Sequence, residues 1–115
     1  VCYAGTHDNA PLALWRQEAE PEEIDFAVQY LGLNEREGFN RGVLRGGMTS
    51  PASLFVAQMQ DWLELGEGSR INTPGTGRGN WQWRLLPGEL TVKLIGDIRE
   101  MTRIYGRLPT KQAKA

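Results

Sequence analysis

Val1-Cys2-Tyr3-Ala4-Gly5-Thr6-His7-Asp8-Asn9 opens the chain with an apolar, partly aromatic run that stops at Gly5 and gives way to four polar residues. A helix-like stretch follows from Pro11, so the opening reads as a buried strand whose carboxyl end presents Thr6, His7, Asp8 and Asn9. In parallel α/β folds that end of a strand is where chemistry is placed. Asp8 stands beside the single histidine of the chain, and the pair is a candidate for binding or proton transfer. The same residues have a second reading, because Asp and Asn shortly before a proline at the first helical position are common helix caps.

Residues 54–59 repeat the pattern. Leu-Phe-Val-Ala-Gln-Met is nearly continuous in apolar residues, as in a strand covered on both faces, and Gln60 and Asp61 follow at its carboxyl end. Two such strands separated by helices indicate parallel βα units and an α/β fold. Asp61 is read first as a cap for a short helix over residues 62–65, with a functional role as the rival reading.

Helical periodicity fills the space between. Leu12, Leu14 and Trp15 give residues 11–17 an apolar side. A second helix is expected from Pro21, with Glu22 and Glu23 in its first turn, Ile24, Ala27, Val28 and Leu31 on one face, and Gly32 as its stop. Asn34 and Glu37 have the spacing of a capping box opening a third helix. That helix carries Gly38, Gly42 and Gly46 four apart, each costing ~1 kcal/mol relative to Ala unless the stripe lets the backbone lie against a neighbour. Arg41 and Arg45 interrupt the stripe and exclude its membrane version. The last helix, residues 90–105, shows Leu94, Ile95, Ile98, Met101, Thr102 and Tyr105 on one face and ends at Gly106 and Pro109. Residues 1–109 read as one segment and residues 110–115 as a disordered tail.

Composition removes several functional classes. Thirteen Lys and Arg against 14 Asp and Glu give a formal net charge of −1, which provides no field for nucleic acid or an anionic membrane. No apolar run has the ~20 residues of a membrane span, and no secretory signal is visible. A lone Cys2 forms no internal disulfide and points to a reducing compartment, hence the cytoplasm. One Cys and one His do not make a zinc site of the usual ligands, and no metal is expected. Val1 begins in mid-strand, which suggests a piece of a longer protein.

The region of residues 66–83 is the least regular, and a loop this long in a compact domain is often functional. Gly75, Gly77 and Gly79 suggest a phosphate cradle, but Asn80 occupies a fingerprint glycine position and no Gly-Lys-Ser/Thr ending follows. Amides and hydroxyls beside Trp81 and Trp83 suit a sugar, which offers hydroxyls for hydrogen bonds and apolar ring faces for packing. The alternative is that the tryptophans anchor the loop to the protein body.

Read in order, Tyr3-Ala4-Gly5-Thr6-His7-Asp8-Asn9, Arg70-Ile71-Asn72-Thr73-Pro74-Gly75-Thr76, Gly79-Asn80-Trp81-Gln82-Trp83-Arg84 and Tyr105-Gly106-Arg107 resemble the carboxyl-terminal part of an amylomaltase, or 4-α-glucanotransferase. The resemblance implies the last two βα units of a (β/α)₈ TIM barrel, with residues 1–5 ending the seventh strand and residues 54–59 forming the eighth. It implies transfer of α-1,4-glucan segments between maltodextrins by a retaining double displacement, with no cofactor. Asp8 matches the family's third carboxylate, which binds hydroxyls of the distorted sugar and favours the transition state. His7 matches the adjoining sugar-binding histidine, and Asn72, Thr73 and Pro74 match the loop beside the bound glucan.

The family's nucleophile and general acid come from earlier strands. Glu18, Glu20, Glu22 and Glu23 offer no substitute, since they sit at a solvated helix start. The chain alone is therefore expected to be inactive and to need the amino-terminal remainder of the enzyme as partner. Ala10-Pro11 departs from the further Asp or hydroxyl residue of many members, which bears on the fine sugar contacts. The rival from another class is a non-catalytic glucan-binding or interaction module derived from the same fold.

Overall fold

The computed structural model describes residues 1–6 and 8–109. In chain order these form β1 (Cys2–Tyr3), α1 (Leu12–Glu18), α2 (Pro21–Leu31), α3 (Phe39–Met48), β2 (Phe55–Val56), α4 (Met59–Trp62) and α5 (Val92–Ile104). The strands pair in parallel, Cys2 opposite Phe55 and Tyr3 opposite Val56. The parallel arrangement is as expected, but both strands are shorter than their apolar runs. Among the described residues each strand pairs with the other alone, and the last ladder bond runs from the Ala4 N–H to the Val56 carbonyl at 3.1 Å. The second run is also cut short by α4, which already begins at Met59.

Short-range rules account for α2. Proline at its first position lacks an N–H that would have no helical partner, and Glu22 and Glu23 lie favourably in the first turn. Gly32 ends it at φ 65°, a left-handed conformation that suits glycine. Thr91 opens α5 by accepting the Leu94 N–H at 3.0 Å, two residues inside the expected start.

Three local expectations are corrected. Pro11 is the residue flanking α1 rather than its first helical position, with an extended ψ of 154°. Asn34 does accept the Glu37 N–H at 2.8 Å, but the pair closes a turn and α3 starts only at Phe39. The Glu37 carboxylate is drawn instead to Arg45, at 2.9 Å from Nε, so the reciprocal half of a capping box is missing. Asp61 lies within α4 and does not cap a helix over residues 62–65.

The core is Leu12, Leu44, Met48, Trp62 and Leu94, with Leu44 fully buried. Burial of such a side chain contributes about 1.5–3 kcal/mol. Ile98 and Met101 of α5, and Tyr105 just past its end, pack against this cluster, whereas Ile95 is 49% exposed. Helix α3 is central because its glycines admit close neighbours. A Cβ on Gly46 would stand 2.7 Å from Leu31 Cδ2, and one on Gly42 would strike Leu33. Gly38 differs from its expected role and serves as the flanking residue of α3 at φ 96°.

Arginines tie the helices at their ends. Arg45 Nη2 donates to the Leu31 carbonyl at 2.8 Å, and Arg107 donates to the carbonyls of Met48, Ser50 and Ala52 at 2.9, 3.0 and 2.8 Å. Asp97 of α5 sits between Lys93 at 3.0 Å and Arg41 of α3 at 3.3 Å. The bond from Lys93, followed by that from Arg41, holds its carboxyl below the ordinary carboxylate range. No helix of the described residues is long and apolar enough to cross a membrane.

Candidate functional site

The site is built where β1 leaves the sheet. After Ala4 the chain turns on itself: the Asn9 side chain accepts the Thr6 N–H at 2.9 Å and the Thr6 hydroxyl at 3.0 Å, and the Asn9 N–H returns to the Thr6 carbonyl at 3.0 Å. Side chains of Asn and Thr favour such local turns because they mimic backbone groups. Gln58, just beyond β2, braces the turn by donating to the Thr6 carbonyl at 2.6 Å. Asn9 is thus occupied in the turn, and neither it nor Asp8 caps α1.

The cap of α1 comes from far along the chain. Asp61 Oδ1 accepts the Leu12 N–H at 2.8 Å across a separation of 49 residues. Asp61 is 1% exposed, and its own carbonyl accepts Asn40 Nδ2 at 2.9 Å. Desolvation pushes its carboxyl pKa upward, opposed by the Leu12 hydrogen bond. Gln60, placed by its sequence position at a functional strand end, is instead buried at 2% exposure and donates to the Ser69 carbonyl at 3.1 Å. Both residues at the second strand end are therefore structural.

Asp8 has a different environment. It is exposed, and its Oδ1 accepts Asn72 Nδ2 at 2.6 Å from a residue 64 positions away. Arg70 Nη2 donates to the Asp8 carbonyl at 3.0 Å, and Arg70 Nε to the Asn72 carbonyl at 3.4 Å. The first strand end and the irregular loop, unconnected in sequence, meet at this carboxylate. An ionised carboxylate only accepts hydrogen bonds and has about four lone-pair sites, so it can receive sugar hydroxyls while an amide fixes its direction.

Asn80 shapes the rest of the loop. Its Oδ1 accepts the Thr73 N–H at 2.8 Å and its Nδ2 donates to the Thr76 carbonyl at 3.1 Å, closing a small ring of chain around Gly75. Thr73 and Pro74 are exposed on this ring, beside Asn72. Trp81 takes a left-handed φ of 61°, its N–H bonds to the Ile71 carbonyl, and its side chain is 64% exposed. Trp83 is half-buried, so of the two indoles it is the one consistent with anchoring. His7, the remaining candidate, lies outside the described residues.

Arg70 and Gln58 join the site through contacts that their sequence positions do not name. Arg70 lies two residues before Asn72, and Gln58 interrupts an otherwise apolar run. Each was a visible signal of a polar contact, although neither position names its partner. An apolar cavity of about 410 Å³ adjoins the turn, lined by Tyr3, Gly5, Leu12, Trp15 and Leu31 among others. Among the described residues no group of three or more His, Cys, Asp and Glu could hold a metal ion.

Comparison with known proteins places the chain, by sequence and by overall fold, beside 4-alpha-glucanotransferases. A family model described as 4-alpha-glucanotransferase covers residues 1–91. The 4-alpha-glucanotransferase of Clostridium butyricum is 44% identical over 108 residues, covering 93% of this chain and 22% of that protein. The enzyme of Thermus thermophilus is 41% identical over 113 residues, covering 94% and 23%. An amylomaltase from Streptococcus agalactiae, solved in complex with acarbose, superposes with a TM-score of 0.88 at 34% identity over 93% of this chain and 22% of that one. The chain spans about a fifth of the length of the curated relatives it matches. With the family model matched over most of its residues, the chain belongs to the 4-α-glucanotransferase family.

Proposed function

We propose that this chain is the carboxyl-terminal part of a cytoplasmic 4-α-glucanotransferase and forms one wall of its glucan cleft. The complete enzyme is a (β/α)₈ barrel in which β1 and β2 are the last two strands. It moves α-1,4-glucan segments between maltodextrins through a covalent glycosyl-enzyme, using a nucleophile and an acid supplied by the amino-terminal remainder. Asp8 binds hydroxyls of the distorted sugar, and its interaction strengthens as the oxocarbenium-like transition state forms. His7, Asn72, Thr73 and Pro74 line the glucan beside it.

The observation that supports this most is the Asn72 to Asp8 hydrogen bond of 2.6 Å. It orients a carboxylate at an exposed strand end before substrate arrives, which is what electrostatic preorganisation requires. The similarity to an amylomaltase solved in complex with acarbose, and to enzymes named 4-alpha-glucanotransferase, supports a glucan as the ligand.

Asp8→Asn in the complete enzyme tests the role. The amide keeps the shape but loses the charge, and turnover of maltotriose into glucose and longer maltodextrins is expected to fall by roughly 10²-fold or more. The circular dichroism spectrum should not change. Near-normal turnover would remove Asp8 from the reaction.

A further inference from the structure

Arg70 stands between the two segments that meet at the site. Its Nη2 holds the Asp8 carbonyl at 3.0 Å and its Nε the Asn72 carbonyl at 3.4 Å. One cation therefore spans the main chain of both residues whose side chains bond each other at 2.6 Å. A guanidinium suits this task, because its donors form a rigid planar fork that reaches two acceptors at once. An ammonium on a flexible stem reaches one with less constraint.

The base of this fork is fixed to the protein body. Ser69, the preceding residue, is 3% exposed, and its hydroxyl donates to the Gly66 carbonyl at 2.7 Å. Its carbonyl accepts the buried Gln60 amide of α4 at 3.1 Å. Support thus runs from the interior through Gln60 and Ser69 to Arg70, and from there to the exposed turn that carries Asp8. The neighbouring local bonds within residues 6–9 shape that turn but do not reach the loop.

We infer that Arg70 is a positioning residue for the Asp8 carboxylate, an inference that rests on the role proposed for Asp8. Its action requires no contact with sugar. It sets where the carboxylate stands by fixing the main chain at residues 8 and 72 together. Displacement of a reacting group by 1 Å costs of order 10²-fold in rate, which bounds the effect of losing the fork.

Steady-state kinetics of maltotriose disproportionation by the complete enzyme provide the test. Arg70→Ala should lower kcat by roughly 10- to 100-fold with KM within about threefold of wild type, and with an unchanged melting temperature. Arg70→Lys should recover part of the loss, since one ammonium can still engage one carbonyl. In an Asp8→Ala background, Arg70→Ala should lower the residual turnover by no more than a few-fold, because the carboxylate it positions is gone and only its hold on Asn72 remains to be lost.

Wild-type kcat for Arg70→Ala, or an equal loss with and without Asp8, would overturn the inference. Should Arg70→Ala not fold, Arg70→Lys with and without Asp8 is judged by the same criterion. Asp8→Ala alone separates the two levels of argument. If it retains near-normal turnover, the role of Asp8 fails and takes this inference with it. If it is inactive while Arg70→Ala is normal, only Arg70 loses its role.

Discussion

Asp61 and Asp8 follow two parallel strands, and they differ in burial: Asp61 is enclosed in the protein and Asp8 is exposed. Asp61, at 1% exposure, satisfies the first N–H of α1 and has no route to a ligand. Asp61→Ala removes that acceptor from a buried donor and is expected to cost about 1–3 kcal/mol. Asp61→Asn keeps an acceptor oxygen and discards the charge. Because burial raises the Asp61 pKa in the folded state, the native protein holds its proton to higher pH than the unfolded chain. Stability from this group is therefore full below the unfolded carboxylate pKa and falls as pH rises through the folded value. Asp61→Asn should flatten that decline, which urea unfolding at a series of pH values will read. A decline of the same slope in wild type and variant would show that Asp61 is not its source.

At the scale of the element, α3 shows why a helix rich in glycine is stable here. Gly47 lies under the ring of Phe55 in β2, and a Cβ there would meet three ring atoms. Gly47→Ala is expected to destabilise by about 1–3 kcal/mol through overpacking, despite the better helix propensity of alanine. Gly96 in α5 provides the contrast, with nothing within 4 Å of an added Cβ. There the same substitution should stabilise by up to ~1 kcal/mol. Opposite shifts of the urea midpoint are the expected result, and a stabilising Gly47→Ala would contradict the close packing. The glycine spacing announced a close neighbour, and for Gly42 and Gly46 α2 and its following turn supply it. It did not reveal that Gly38 would be spent on a backbone turn, since the competing Asn34 to Glu37 closure delays the helix start.

The whole molecule is less compact than its length allows. Its radius of gyration is 15.3 Å, against about 13 Å for a compact domain of similar size. Among the described residues the sheet has two strands, and large apolar side chains stay in solvent, Phe26 at 67%, Tyr30 at 77% and Tyr3 at 55% exposure. No residue of α2 is buried. An unpaired strand edge and uncovered apolar surface favour association. The isolated chain should bind an apolar fluorescent dye and show concentration-dependent association in sedimentation velocity. A monodisperse monomer without dye binding would mean that these surfaces are covered in some other way.

The sequence by itself determined what depends on a few neighbouring residues: the Pro21 start and Gly32 stop of α2, the polar turn after β1, and the irregular loop around Gly75. These are set by local sterics and by hydrogen bonds within three or four positions. Its ordered motifs also carried the family. Only the tertiary structure decided which aspartate caps α1 and which meets the loop, because each depends on a partner 49 or 64 residues away. Burial gave Asp61 to the amino terminus of α1, and the meeting of a strand end with a distant loop left Asp8, held by Asn72 and Arg70, facing solvent.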